Sequence, residues 1–314
     1  MIAALGFIAQ HGRKVLVIGL ILGVAAGVGL PDMAKKVQVL IAPVVVTLLF
    51  LAFLRLGPEG VRAGLQGWRG GVLAVIALQL AAPLLAALIL RALGIDGVLA
   101  MGLVLLLAAA PITGSPNLAI MSGASASTAL RQLVLGTLAL PFTVAPVFLV
   151  LPGLGAPGDV GLIVLRLLVV IVMACALALW LRQRGLVRAT PRSLTAIDGC
   201  ATILLAVIVI ALMGAVGPGL VAGRAGWAQL GLVLCLGFGL QIATILVLRG
   251  RMSADKVAAI GQAAGNRNIA LFVGVLPPAL ASDLLLLIGL YQIPMYLTPL
   301  VMGWLYPRLR LALG

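Results

Sequence analysis

Arg267 is the residue whose chemistry most needs a partner. It stands in GQAAGNRNIALF, residues 261–272, where Gly261, Gln262, Gly265, Asn266 and Asn268 surround a guanidinium inside an otherwise apolar run. A second polar island lies upstream in AAAPITGSPNLAI, residues 108–120, with Pro111, Thr113, Gly114, Ser115, Pro116 and Asn117. Amides, hydroxyls and one fixed cation can bind an ion or an anion. The seven acids, Asp32, Glu59, Asp96, Asp159, Asp198, Asp255 and Asp283, are scattered in loops or at helix boundaries. Hydrolytic or redox chemistry has no apparatus here, and no enzyme activity is expected. Cys175, Cys200 and Cys235 stand singly, without CxxC spacing or a histidine cluster, so neither a metal site nor a disulfide framework is indicated. The single histidine, His11, reads as an interfacial residue.

The elements that position these islands are set by composition. The chain is 63% hydrophobic and 9% charged, with a mean hydropathy of +1.29. Soluble domains carry roughly a quarter of charged residues, so lipid is the expected solvent. Apolar runs long enough to cross a hydrocarbon core of roughly 30 Å recur at 15–30, 37–54, 71–93, 97–124, 128–152, 159–181, 197–216, 226–248, 256–277 and 284–305. The spacing predicts ten transmembrane helices in an all-α membrane protein. No alternating ten-residue strands of a barrel are present, and HGRK ahead of the first run argues against a cleaved signal peptide.

The net charge of +14 is explained by topology. With the N-terminus inside, Arg13, Lys14, Arg55, Arg62, Arg69, Arg182, Arg184, Arg188, Arg192, Arg249, Arg251, Lys256, Arg308 and Arg310 fall on one side. Lys35, Lys36, Arg91 and Arg224 fall opposite. This asymmetry is the positive-inside pattern, which places both termini in the cytoplasm and removes the nucleic-acid reading. Arg131, Arg166 and Arg267 remain in or at membrane segments, with Arg166 expected to snorkel to headgroups.

Ten helices divide into two halves, 1–152 and 153–314. Five helices each force the halves into opposite orientations, an inverted repeat. Transporters of this kind place their sites where equivalent helices are interrupted. The two polar islands fall in the fourth helix of each half, and interrupted backbone at membrane depth must be buried in protein or line a cavity. The two breaks are therefore expected to face one another. Ser122, Ser125, Ser127 and Thr128 read as a turn and cap between the fourth and fifth helices.

The segments AAPITGSPNLAIMSG and GNRNIAL, together with the ten-helix length, resemble the bile acid:sodium symporter family. The resemblance implies a core domain from helices 3–5 and 8–10, a panel domain from helices 1, 2, 6 and 7, and a crossing of the two broken helices. It implies secondary transport of a small organic anion by alternating access. The polar islands and the resemblance together give Thr113, Ser115, Asn117, Gln262, Asn266, Arg267, Asn268 and Gln79 as candidate binding residues. Family members hold sodium with a Ser-Asn pair and with a glutamate and glutamine. Here Asn117 is kept, Pro116 precedes it, Gln262 stands for the glutamate, and Asn266 for the glutamine. The degenerate sodium site is thus Asn117, Gln262 and Asn266. Losing a carboxylate and gaining a guanidinium opposes a bound cation, so no cofactor and no usual sodium coupling are expected.

Three roles stand open for Arg267: a cap on helix-end carbonyls, a grip on an anionic substrate, or a snorkel to an interface. Gln79 lines a cation site or makes a helix-packing hydrogen bond. Two other functions share the fold: a non-transporting membrane sensor, and an efflux permease of the arsenite or auxin-carrier type. The arsenite permeases carry a cysteine in the fourth helix that AAAPITGSPN lacks.

Overall fold

A computed structural model describes the backbone of residues 2–313 and the side chains of all but residues 2, 3, 12, 13, 16 and 309–313. The expectations for the two chain ends and for the Arg13 and Arg310 side chains lie outside the described residues. The described chain is all helix apart from short connections. In order it forms α1 (Ile2–Gln10), α2 (Gly12–Gly29), α3 (Pro31–Gln38), α4 (Ile41–Leu65), α5 (Trp68–Val75), a π-helical segment (Ile76–Ala81), α6 (Ala82–Ala92), α7 (Gly97–Ala108), α8 (Ser115–Ser122), α9 (Ala126–Val150), α10 (Pro157–Gln183), α11 (Pro191–Val221), α12 (Arg224–Leu248), α13 (Ala254–Gly265), a 3₁₀ segment (Ile269–Gly274) and α14 (Pro278–Leu313). Seven helices among the described residues are long and apolar enough to cross a membrane. The protein is a multi-pass all-α membrane protein. The expected runs at 97–124 and 256–277 are each split in two, and the run at 15–30 is shorter than a full span.

Local chemistry explains the interruptions. α4 runs eleven residues past its expected end at 54, but Gly57 within it has φ 63° and ψ −178°, a conformation that favours glycine, and Pro58 follows without an N–H. α7 stops at Ala108 because the next residues approach Pro111, and the residue before a proline avoids helical geometry. α8 ends on Gly123 at φ 72°, the left-handed helix cap. α9 starts from Ser125, whose hydroxyl accepts the Thr128 amide at 3.3 Å.

The chain forms two compact units. The first comprises residues 1–61, 168–229 and 270–290. In it, α2 lies backbone to backbone against α11: a Cβ at Gly23 would meet the Ile210 carbonyl at 2.8 Å, and one at Gly27 would run into the Gly214 backbone. Such contact is the small-residue packing by which helices associate in lipid. Arg55 of α4 forms a two-pronged ion pair with Asp198 of α11.

The second unit comprises residues 62–167, 230–269 and 291–314. It contains both interrupted helices, with α9 packed against α5, α8 and α13. Its centre is polar: Gln79, Ser115, Ser122, Gln132, Gln241, Gln262, Asn266, Arg267 and Thr298 are all buried.

Candidate functional site: a crossing of two interrupted helices

The extended segments after α7 and α13 pair as a short antiparallel bridge. The Ile112 amide donates to the Asn266 carbonyl at 3.0 Å, and the Asn268 amide donates to the Ala110 carbonyl at 2.7 Å. Each break supplies the backbone partner the other lost, which is the condition for leaving a helix open at membrane depth. The two islands do face one another. Asn266 meets the first break through Ile112, while the Asn117 side chain, exposed on the first turn of α8, has no hydrogen-bond partner among the described residues.

Arg267 is 2% exposed, and its guanidinium is anchored on three carbonyls. Nε donates to Ala264 at 3.0 Å, Nη1 to Ala109 at 3.0 Å, and Nη2 to Leu78 at 3.2 Å. Ala264 and Ala109 sit at the C-terminal ends of α13 and α7, where carbonyls lack intrahelical donors and carry the negative end of the helix dipole. Leu78 lies in the π-helical segment, where the Ala82 amide bonds to Ala77 rather than to Leu78. Its next potential donor is position 83, a proline. The carbonyl of Leu78 is therefore released for Arg267. The Arg267 amide donates to the Tyr291 hydroxyl at 3.2 Å, and that hydroxyl donates to the Gly265 carbonyl at 2.7 Å. Of the three open roles, this geometry is that of a cap on helix ends, and burial excludes a snorkel.

The amides form a second cluster beside the arginine. Gln262 Nε2 donates to the Ser115 carbonyl at 2.9 Å, and its Oε1 lies 3.2 Å from the Ser122 hydroxyl. Asn266 Nδ2 donates to the Gln262 carbonyl at 2.9 Å, and the Thr298 hydroxyl donates to Asn266 Oδ1 at 3.0 Å. Gln241 Nε2 reaches that Thr298 hydroxyl at 3.2 Å, and the Tyr306 hydroxyl donates to Gln241 Oε1 at 3.1 Å. Gln79 Nε2 donates to the Gly136 carbonyl of α9 at 3.1 Å, the helix-packing arrangement.

The eight candidates thus divide. Gln79, Ser115, Gln262, Asn266 and Arg267 are buried, and all but the Ser115 hydroxyl have partners within the unit. Thr113 and Asn268 are half-buried and Asn117 is exposed, their side chains free of hydrogen bonds among the described residues. The sequence reading missed Ser122, assigning it to the turn that Ser125 in fact caps, along with Gln241, Tyr291, Thr298 and Tyr306. A phenol or amide inside a long apolar run was the available signal, since such groups seek partners when buried. Among the described residues no group of three His, Cys, Asp or Glu side chains could hold a metal ion.

Fold and site together define a multi-pass α-helical membrane protein with two mutually paired helix interruptions around one buried arginine. No protein-family model matches the sequence, and no curated protein matches it.

Proposed function

We propose that the protein is a secondary carrier of a small organic anion, working by alternating access and built like the bile acid:sodium symporters. The observation that carries this reading is the pairing of two interrupted helices around Arg267. Mutually paired breaks at membrane depth are a transporter device, and the local charge is positive. The reading takes the ten apolar runs as ten spans in two inverted five-helix halves, 1–152 and 153–314. The division into two compact units runs parallel to a core of helices 3–5 and 8–10 and a panel of helices 1, 2, 6 and 7, but with residues 270–290 falling in the first unit and 159–167 in the second. Both termini face the cytoplasm of a bacterial inner membrane in this scheme. Thr113, Asn117 and Asn268, with unspent polar groups at the crossing, are the side chains available to an anion, while the buried set holds the crossing together.

Sodium fits this donor set poorly. The carbonyls of Ala109, Ala264 and Leu78 already serve a guanidinium, and Gln262 supplies a neutral amide engaged with Ser115 and Ser122. A cation brought beside Arg267 meets repulsion without a carboxylate to offset its desolvation. The carrier is accordingly not coupled to sodium in the family's usual manner. Uptake of a panel of radiolabelled organic acids into proteoliposomes, in sodium and in choline media, tests the proposal. Uptake above protein-free liposomes in both media is expected. A protein that binds one of these acids but moves none of them is a sensor.

A further inference from the structure

The second unit contains a cavity of about 770 Å³ away from the helix crossing, between the ends of α6, α7 and α9. That volume is within the range of roughly 300–1,000 Å³ typical of ligand pockets. Its walls are apolar, with Leu90, Met101, Val104 and Leu149 among them. Its rim carries Arg91 in the last turn of α6 and Asp96 immediately before α7. Both charged residues are exposed, and neither side chain has a hydrogen-bond or ion-pair partner among the described residues. An arginine and an aspartate five positions apart, each unpaired over one apolar cavity, form a dipolar mouth. The cavity opens where two helices long enough to cross a membrane, the one that closes with α6 and α9 itself, come to their ends and α7 begins, and headgroups lie at the ends of membrane-spanning helices. Ile95 and Leu149 at its edge are 50% and 57% exposed, apolar surface suited to acyl chains.

We propose that this cavity is a binding site for a zwitterionic aminophospholipid, with phosphate on Arg91, ammonium on Asp96 and an acyl chain against Met101, Val104 and Leu149. Charge complementarity selects the headgroup. A purely anionic headgroup gains Arg91 but faces Asp96. Phosphocholine brings a quaternary ammonium with no N–H to donate. Phosphoethanolamine supplies both an anion for the guanidinium and three N–H donors for the carboxylate. A soluble ligand would leave the apolar wall facing lipid unused.

Native mass spectrometry of the full protein, with equimolar dioleoyl phosphatidylethanolamine, phosphatidylcholine and phosphatidylglycerol, tests the assignment. The parent should retain phosphatidylethanolamine in excess. Arg91→Gln should lower the adducts of all three lipids, each of which carries a phosphate, about fivefold, the ratio set by roughly 1 kcal/mol per charge near a headgroup. Asp96→Asn should shift the preference to phosphatidylglycerol. Equal retention of the three lipids, a parent preference for phosphatidylglycerol, or unchanged selectivity in Asp96→Asn would overturn the proposal. A phosphatidylethanolamine with a diazirine on its acyl chain, applied to the unmodified protein, should label residues 98–104 or 149–151. Labelling confined elsewhere, or full displacement of the lipid by free phosphoethanolamine, would also overturn it.

Discussion

The Nη2 of Arg267 donates to the carbonyl of Leu78, 189 positions earlier in the chain, at 3.2 Å. That carbonyl is free because the chain runs through a π turn between α5 and α6 and because position 83 is a proline. With Ala109 and Ala264, Leu78 gives the guanidinium three acceptors from three different elements. A compact ammonium could not reach all three. The planar fork of arginine spreads its donors across the gap.

Removing this cation should destabilise the second unit. Arg267→Ala strands three buried carbonyls, two of them at helix ends, a loss of roughly 1–3 kcal/mol for each acceptor that finds no other donor. Arg267→Lys should recover only part of it. Thermal unfolding in detergent is the measurement, with the expected order parent, then Lys, then Ala. A lysine variant as stable as the parent would assign Arg267 no geometric role.

Pro83 and Arg267 should be coupled, although Pro83 lies in α6 and Arg267 in the extended segment after α13. Pro83→Ala restores an amide that can bond to Leu78 in the π register, or let the turn relax to α-helix with Ala82 bonding to Leu78. Either outcome competes with the arginine. The single change should loosen the Arg267 anchor, and should cost less in the Arg267→Ala background. A double-mutant cycle on unfolding should give a coupling of roughly 0.5–3 kcal/mol, the range for residues sharing one network. Additive effects would contradict it.

How legible this was in the sequence depends on what the letters encode. The breaks at 109–114 and 266–268 are readable, because prolines, glycines and polar residues crowded inside an apolar run deprive a helix of donors and demand burial in protein. That they face one another follows from their need for backbone partners. The acceptors of Arg267 are not readable. A freed carbonyl has no letter of its own, and only Pro83 marks the π turn. The resemblance to the symporters groups Asn117 with Asn266, whereas the hydrogen-bonded partner of Asn266 across the crossing is the Ile112 backbone. In the sequence Ser122 resembles its neighbours among four turn hydroxyls, yet it sits at the C-terminal end of α8 beside Gln262 Oε1.

Close backbone approach at the crossing gives a sharper test of packing. A Cβ at Gly265 would collide with the Gly237 carbonyl of α12 and with the Gln241 side chain. Gly231, also in α12, has nothing within 4 Å of its added Cβ. Gly265→Ala should therefore cost about 1–3 kcal/mol through overpacking. Gly231→Ala should be neutral or stabilising by up to about 1 kcal/mol through helix propensity. Equal melting temperatures for the two variants would count against the close packing of α12 on α13.

The charge bias makes a topological prediction. A single cysteine in a tag after Gly314, in a background lacking Cys175, Cys200 and Cys235, should resist a membrane-impermeant maleimide in intact cells and react after permeabilisation. A cysteine at Gly94, between α6 and α7, should react from outside. The reverse pattern would invert the reading of the basic residues.

The last prediction concerns coupling. If Arg267 stands where a family member binds a cation, the positive charge that organises the two helix ends is already covalently present. Replacing sodium chloride by choline chloride should then leave the melting temperature and any substrate uptake unchanged. Rebuilding an ion site requires two changes at once. Gln262→Glu restores the carboxylate, and Arg267→Asn removes the competing charge while leaving the carbonyls of Ala109, Ala264 and Leu78 in search of a partner. Either change alone should be harmful: glutamate beside a retained arginine gains a neighbouring cation but loses the amide bond to Ser115, and asparagine alone strands the carbonyls. The pair should acquire sodium-dependent stabilisation that grows with the logarithm of sodium concentration above its dissociation constant, about 2.7 kcal/mol at a hundredfold excess. Sodium-dependent melting in the parent, or a double variant indifferent to sodium, would show that Arg267 does not take the place of an ion.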